Sequence, residues 1–201
     1  MTHSTHRVAE RSRATKETNV ELWLDLDGTG STSIETGIPF FNHMLEQLGR
    51  HGGIDLKIAA SGDLSVDLHH TVEDVGIVLG EALGEAMSDK AGLCRYASRV
   101  VPLDEAAIEV ALDLSGRPFL LYEVPFAADT PGLGEPPYDP QLTEEFLRAL
   151  VTAAGVTLHV RLRSGRNTHH IVEATFKCVA RCLRDALKIE GTTLPSTKGR
   201  L

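Results

Sequence analysis

A five-residue pattern that occurs twice is the feature that most restricts the fold of this chain. Residues 69–73 read His-His-Thr-Val-Glu and residues 169–173 read His-His-Ile-Val-Glu, which places the two copies 100 residues apart in a chain of 201 residues. Each copy follows an apolar segment with helical spacing and then an alternating segment that begins at Gly53 or Gly155. Repetition on this scale predicts an internal duplication, with the two pentapeptides at equivalent places in two half-domains.

Periodicity predicts the order β-β-β-α-β-α in each half. Alternating segments predict strands at residues 6–13, 19–27 and 32–36 in the first half, and at 93–102, 105–114 and 117–124 in the second. Apolar residues three and four apart predict helices at 39–48 and 142–151, and a further helix running on from each pentapeptide. This pattern indicates an α+β fold in which two sheets each carry helices packed on one face.

The two halves are expected to form one compact domain. We place the first half at residues 1–91, the second at 92–188 and a C-terminal tail at 189–201. Proline and glycine mark residues 125–139 as a surface loop. The tail is rich in Gly, Thr, Ser and Pro, so we expect it to be irregular unless other residues hold it in place.

Charge and composition exclude several classes of protein. A net charge of -8 argues against a general nucleic-acid-binding protein, which is usually basic. No apolar segment is long enough to cross a bilayer, and the N-terminus lacks the apolar stretch of a secretory signal. The three cysteines, Cys94, Cys178 and Cys182, are expected to be reduced thiols. We therefore expect a cytoplasmic protein without membrane or nucleic-acid partners.

The pentapeptides carry metal-binding chemistry. Residues four apart on a helix share a face, so His69 is expected beside Glu73 and His169 beside Glu173. An imidazole and a carboxylate one turn apart can hold one metal ion. Adjacent residues diverge by about 100° on a helix. The second histidine of each copy, His70 or His170, is therefore expected to serve a second ion or a site completed by another helix or subunit.

The ligand types narrow the choice of metal. Imidazole and carboxylate without thiolate suit zinc, manganese, iron or nickel, and we favour manganese or zinc. His43 and His159 are further candidate ligands. Cys178 and Cys182 lie four apart, but no second cysteine pair exists that could close a zinc site.

Two other functions fit parts of the sequence. Asp25-Leu-Asp-Gly-Thr resembles the motif of phosphatases that use an aspartate nucleophile, with Asp25 and Asp27 as the acidic residues. Asp-Gly is also a common β-hairpin turn, and the crossover helix that a parallel strand needs does not follow at once, so we favour a hairpin here. Alternatively, the histidine-rich helices could belong to an oligomeric metal-storage protein without enzymatic activity.

Along nearly its whole length the chain resembles the imidazoleglycerol-phosphate dehydratase family. The segments that carry the resemblance are Arg13-Ala-Thr-Lys-Glu-Thr, Thr36-Gly-Ile-Pro-Phe-Phe-Asn-His-Met-Leu, Gly62-Asp-Leu, His69-His-Thr-Val-Glu-Asp, Pro102-Leu-Asp-Glu, Leu114-Ser-Gly-Arg-Pro, His169-His-Ile-Val-Glu-Ala-Thr-Phe-Lys and Pro195-Ser-Thr-Lys-Gly. The resemblance implies a hydro-lyase of histidine biosynthesis. It also implies a duplicated half-domain and a hollow particle of twenty-four subunits with active sites at subunit junctions.

The resemblance also assigns roles to individual residues. It implies two Mn²⁺ ions per active site, with the ligands His43, His69, His70, Glu73, His159, His169, His170 and Glu173. The residues it implies for binding substrate phosphate are Arg95, Arg117, Lys177, Ser196 and Lys198. Arg and Lys suit this task because their N–H groups match phosphate oxygens. The tail that carries Lys198 is expected to close over the phosphate.

The expected reaction removes water across C2–C3 of the glycerol chain and gives imidazoleacetol phosphate. The departing C2 proton is not next to a carbonyl, so the imidazole ring has to take up the electrons. Our hypothesis is that the metals hold the ring as an imidazolate, which expels the C3 hydroxyl to form a diazafulvene-like intermediate. A carboxylate then moves the proton. Glu17 is the preferred candidate because the family places it in the site, and Glu173 is the competitor.

Overall fold

A computed structural model describes residues 6–199 of the chain. The first half contains β1 (Val8–Ala14), β2 (Thr18–Asp25), β3 (Thr32–Glu35), α1 (Pro39–Gly52), β4 (Asp55–Gly62) and α2 (His69–Ala86). The second contains β5 (Tyr96–Leu103), β6 (Ala106–Asp113), β7 (Phe119–Glu123), α3 (Leu142–Ala154), β8 (Thr157–Ser164) and α4 (Thr168–Ala186). The predicted α+β fold, with the order β-β-β-α-β-α in both halves, is confirmed.

The two sheets share one topology. Their strand orders are β1-β2-β4-β3 and β5-β6-β8-β7. In this spatial order, the first three strands of each sheet are antiparallel to their neighbours. The last strand, β3 or β7, pairs in parallel with β4 or β8. The two sheets differ at one place, where the register between β6 and β8 shifts between Ala107 and Ile108. The duplication therefore extends from the sequence to the hydrogen bonding of the strands.

The hairpin expected at the Asp-Gly dipeptide after β2 is wrong. A turn does follow β2, but β3 pairs with β4 and not with β2. The chain must cross to the far side of β4 after the turn, because β4 occupies the edge of β2 that a hairpin partner would need. The Asp-Gly dipeptide therefore marks the turn correctly, but not the strand partner.

Glycines set the ends of the first helix in each half. Gly53 and Gly155 follow α1 and α3 with φ angles of 70° and 66°, in the left-handed conformation that ends many helices. Their N–H groups bond back to carbonyls of the preceding helix. The strands expected from these glycines therefore begin two residues later, at Asp55 and Thr157. Pro39 begins α1, a position where its missing N–H costs nothing.

The helices form a layer between the sheets and exchange partners across the halves. Helix α1 packs on α4, and α2 packs on α3, while each helix also contacts the sheet of its own half. Phe41, Phe146 and Phe176 are fully buried where helices from the two halves meet. The core is therefore shared, and neither half encloses its own. No helix within residues 6–199 is long and apolar enough to span a membrane.

The described part of the tail, residues 189–199, is irregular, and the residues before β5 hold it. The N–H of Gly92 bonds to the carbonyl of Thr193, and the N–H of Glu190 bonds to the carbonyl of Gly92. The strand predicted from residue 93 starts only at Tyr96. Arg95 interrupts it, because its φ of 74° is incompatible with a strand.

Candidate functional site

Each pentapeptide forms the first turns of a helix. Its first histidine and its glutamate lie on one face, as their spacing requires. Nε2 of His169 is 2.9 Å from Oε2 of Glu173, whereas Nε2 of His69 is 3.9 Å from Oε2 of Glu73. The two helix starts therefore present the same pair of groups, held more tightly in the second half.

A third side chain joins the pair on α4. His43 of α1 places Nε2 3.5 Å from Oε2 of Glu173. One ligand atom from each of His43, His169 and Glu173 lies within 4.8 Å of the other two. Because α1 packs on α4, this cluster combines residues from both halves. Two imidazoles and one carboxylate form a donor set that fits Mn²⁺ or Zn²⁺.

Glu173 is suited to hold a cation because it is ionised. Burial favours the neutral acid, but hydrogen bonds from Lys177 and His169 outweigh burial and lower the pKa of Glu173. Nζ of Lys177 is 2.6 Å from Oε1, the oxygen that faces away from the histidines. Metal ligands must be deprotonated, so this lowered pKa favours metal binding.

The second histidine of each pentapeptide turns away from the first. The ring planes meet at 83° in His69 and His70 and at 86° in His169 and His170. Nδ1 of His70 lies 3.1 Å from Asp63, and Nδ1 of His170 lies 2.8 Å from Glu105. These contacts raise the pKa of both histidines, chiefly through the hydrogen bonds to the carboxylates.

Two other predicted residues lie at different places. Glu17 is largely exposed in the turn before β2, and its Oε2 is 3.8 Å from Nδ1 of His70. His159 lies on β8 opposite Ala111 and Leu121, and the alternation of buried residues directs it to the outer face of the sheet. Within one subunit, His159 is therefore separated from the N-terminal ends of α2 and α4.

Two of the phosphate candidates, Arg95 and Arg117, lie beside Asp113. Arg95 donates to both carboxylate oxygens of Asp113, at 2.7 and 3.2 Å, and to the carbonyl of Pro195 at 2.6 Å. Arg117 lies 4.0 Å from Asp113 and is two-thirds exposed. Pro195 directly precedes Ser196, so the bond from Arg95 holds the start of the segment that contains Ser196 and Lys198. Lys177 instead contacts Glu173.

Sequence reasoning missed three polar residues beside the histidines. Asp63 and Glu105 bond to the second histidines, and Gln47 lies 3.5 Å from Nδ1 of His43. Gln47 also bonds to His51 at 3.1 Å, one turn further along α1. The four-residue spacing of His43 and Gln47 was the available signal. A second signal is the matching position of Glu17 and Glu105, each of which directly precedes the second strand of its half.

The acidic residues after β2 have local partners. Asp27 forms a two-pronged ion pair with Arg7, at 2.7 and 2.9 Å, and Asp25 bonds to His6. Strand β2 is antiparallel to both of its neighbours, whereas the phosphatase motif requires a parallel strand. The surroundings of Asp25 and Asp27 therefore lack the strand arrangement of an aspartate-nucleophile phosphatase.

Comparison with known proteins identifies the family. Residues 36–183 match the family model of imidazoleglycerol-phosphate dehydratase. The dehydratase of Anaeromyxobacter sp. (strain Fw109-5) is 55% identical over 195 residues, covering 97% of this chain and 94% of the relative. That of Acidiphilium cryptum is 52% identical, covering 97% and 99%. The crystal structure of the Staphylococcus aureus enzyme has a TM-score of 0.79 at 36% identity, covering 92% of this chain and 99% of that one. The Pyrococcus furiosus structure has a TM-score of 0.81 at 34% identity, covering 95% and 100%. The chain therefore belongs to the imidazoleglycerol-phosphate dehydratase family.

Proposed function

We propose that this protein removes water from imidazoleglycerol phosphate to give imidazoleacetol phosphate, a step of histidine biosynthesis. The observation that carries the proposal is the meeting of His43, His169 and Glu173 at the start of α4. The second pentapeptide pair, His69 and Glu73, lies at the equivalent start of α2. Membership of the dehydratase family supplies the substrate and the class of reaction.

The active site is proposed to hold two Mn²⁺ ions. The residues that would bind them are His43, His69, His70, Glu73, His159, His169, His170 and Glu173. When bound, manganese supplies Lewis acidity that favours the anionic form of the substrate's imidazole ring. The ionised Glu173 and the paired imidazoles are compatible with this role. The divergence of adjacent histidines supports two ions over one.

Phosphate binding is proposed for Arg95, Arg117, Lys177, Ser196 and Lys198. Arg95 has two roles in this scheme. Three of its five N–H groups already bond to Asp113 and Pro195, which positions the tail, and the remaining two can donate to phosphate. Held by its phosphate, the substrate would keep its C2–C3 bond in a fixed place between the metal ligands and a proton acceptor.

Glu17 is the proposed proton acceptor at C2. The surroundings of the competing residue support this choice, because both oxygens of Glu173 are engaged, one by Lys177 and one by His169. Glu17 is largely exposed, and its contact to Nδ1 of His70 is longer, at 3.8 Å. Its position beside His70 would bring it near a bound substrate. Loss of hydroxide from C3 and of the proton from C2 leaves the enol, which becomes the ketone product.

We also propose assembly into a homo-oligomer of twenty-four subunits. The position of His159 supports it, because this ligand lies on the outer face of the second sheet and needs a neighbouring subunit to reach the rest of its site. Phe119 and Val100, both more than half exposed on the same sheet, add apolar surface that a subunit contact would cover.

The first experiment measures imidazoleacetol phosphate formation by metal-stripped protein, before and after Mn²⁺ is added. We expect turnover to appear with Mn²⁺. Protein that takes up Mn²⁺ and does not turn over the substrate would refute the proposal and favour metal storage.

The second experiment tests the proton acceptor with Glu17→Gln. We expect this variant to lose turnover by about 100-fold or more while it keeps its metal, since positioned proton transfer contributes ~10²–10⁴-fold. Glu21→Gln is the matched control, because Glu21 is an exposed residue of β2, four positions further on. Near-normal turnover in Glu17→Gln would end the assignment.

A further inference from the structure

Two glutamates occupy equivalent positions in the two halves but have different surroundings. Glu17 directly precedes β2, and Glu105 directly precedes β6, its counterpart in the second sheet. Each glutamate lies beside the second histidine of its own pentapeptide, His70 or His170. The duplication thus supplies an internal comparison of one position in two contexts.

In the second half the glutamate is fully engaged. Oε2 of Glu105 lies 2.8 Å from Nδ1 of His170. Oε1 accepts the backbone N–H groups of Arg166 at 3.1 Å and Asn167 at 2.8 Å. The carboxylate of Glu105 is thus fixed between the segment before α4 and the ring of His170.

In the first half another residue takes this role. Both carboxylate oxygens of Asp63 lie within 3.2 Å of Nδ1 of His70, whereas Glu17 is 3.8 Å away. The Glu17 side chain is 58% exposed, against 34% for Glu105. Asp63 leaves Glu17 displaced from the histidine and open to solvent.

The second half has no carboxylate at the position of Asp63. Asp63 follows Gly62, and the equivalent glycine of the second half is Gly165, because a Cβ on either would contact the third residue of the pentapeptide that follows. The counterpart of Asp63 is therefore Arg166. An arginine side chain has donors and no acceptor, so it cannot accept the Nδ1–H of a histidine. The carboxylate for His170 comes from Glu105 instead.

We propose that Glu105 is a positioning residue: it bonds to Nδ1 of His170 and so orients this histidine for metal binding through Nε2, as Asp63 orients His70. Because Asp63 does this in the first half, Glu17 is free for proton transfer. A carboxylate that accepts the Nδ1–H fixes the tautomer and leaves Nε2 unprotonated toward a metal. The proposal for Glu17 rests on the proposed function. The proposal for Glu105 requires only that His170 is a metal ligand.

Glu105→Gln tests the hydrogen bond with little disturbance of the fold. The amide oxygen can still accept the N–H groups of Arg166 and Asn167, but the amide NH₂ then faces Nδ1 of His170. Since NH₂ only donates, Nδ1 must become the acceptor and the ring proton moves to Nε2. A protonated Nε2 cannot bind a metal. Loss of such outer partners typically costs about 10–100-fold in metal affinity.

The measurement is equilibrium dialysis of the assembled, metal-stripped protein against a series of Mn²⁺ concentrations, with bound metal counted. We expect Glu105→Gln to lower the affinity of at least half of the Mn²⁺ sites by about tenfold or more, with melting temperature and assembly size unchanged. Asp104→Asn is the matched control, because it removes a 75% exposed charge from the same turn, 3.7 Å from Nε2 of His170, and leaves the hydrogen bond at Nδ1 intact. We expect its affinity to stay within about twofold of the wild type, since exposed charges contribute little.

The outcomes separate this proposal from the proposed function. Wild-type affinity in Glu105→Gln would refute the positioning role, whatever the enzyme assay shows. Equal losses in Glu105→Gln and Asp104→Asn would also refute it, because general charge and not the hydrogen bond would then be responsible. Mn²⁺ binding that depends on Glu105, in a wild-type protein that does not turn over imidazoleglycerol phosphate, would refute the proposed reaction and leave the positioning role standing.

Discussion

The contact between α2 and α3 depends on two glycines, and a third glycine on the same helix provides the control. Gly76, Gly80 and Gly84 recur every four residues on α2. A Cβ on Gly80 would lie 2.5 Å from the carbonyl oxygen of Leu150 and 2.7 Å from Cβ of Ala153. A Cβ on Gly84 would find its nearest neighbour, Cα of Ala154, at 3.8 Å. Alanine thus fits at position 84 and not at position 80.

These distances predict that the two substitutions change the free energy of unfolding in opposite directions. Glycine to alanine inside a helix gains about 1 kcal/mol from helix propensity alone. We expect Gly84→Ala to keep most of this gain. Gly80→Ala adds overpacking, which costs about 1–3 kcal/mol. The upper value applies here because the clash is with backbone, which cannot turn away. The net change for Gly80→Ala is therefore a loss of about 2 kcal/mol, and the two variants should differ by about 3 kcal/mol.

Thermal unfolding at equal subunit concentration measures this difference. For a chain of this size, 1 kcal/mol shifts the melting temperature by about 2–4 °C. We expect Gly84→Ala to melt higher than the wild type by that amount and Gly80→Ala to melt lower by about 4–8 °C. Equal melting temperatures in the two variants would show that α2 and α3 are not in close backbone contact, and would refute the packing described here.

Three further predictions concern other contacts. Gln47→Leu should weaken Mn²⁺ binding by less than tenfold in equilibrium dialysis, because the bond to the histidine on α1 is at the limit of hydrogen-bonding distance; unchanged affinity would show that it has no role. Arg95→Gln should speed thermolysin cleavage within residues 189–199, because the tail loses one of its side-chain contacts; wild-type cleavage would contradict this. Hydrogen bonds from Arg7, opposed by burial, lower the pKa of Asp27, so the pair stabilises the fold above the ordinary pKa of that carboxyl and stops doing so as the pH falls through the lowered value. Asp27→Asn leaves the bond from Arg7 to the carbonyl of Leu187 in place, so it should lose at most about 1 kcal/mol at neutral pH and nothing in strong acid; a loss independent of pH in urea unfolding would refute this.

The sequence predicted the elements of the fold but not how the helices pair. Duplicated periodicity was sufficient for the order of strands and helices, because local alternation and helical spacing decide it. The pairing of α1 with α4 could not be predicted, because an apolar face such as that of Phe41 and Met44 shows only that it is buried, not what covers it. Strand ends were misplaced by a few residues where a glycine or Arg95 takes a left-handed conformation.

For the site, too, local contacts could be predicted from the sequence and long-range contacts could not. Helical spacing was sufficient to place His169 beside Glu173, since both lie on one element. The approach of His43 depends on the crossing of two helices, and the contacts of Asp63 and Glu105 depend on where strands end. Such long-range contacts leave no periodic signal in the sequence. The metal roles of these residues, and those of His159 and the phosphate group, stay predictions that the experiments above test.

The exchange of helix partners has an evolutionary consequence. The contact of α1 with α4 and that of α3 with α2 are the same contact made twice, as in a symmetric dimer of two identical half-chains. In such a dimer every mutation would change both contacts at once. Fusion into one gene removes this restriction, and the present chain shows the result. Positions 76 and 80 of α2 are glycines, whereas the equivalent positions of α4 are Phe176 and Ala180. One ancestral interface has become two, each free to be refined by selection without altering the other.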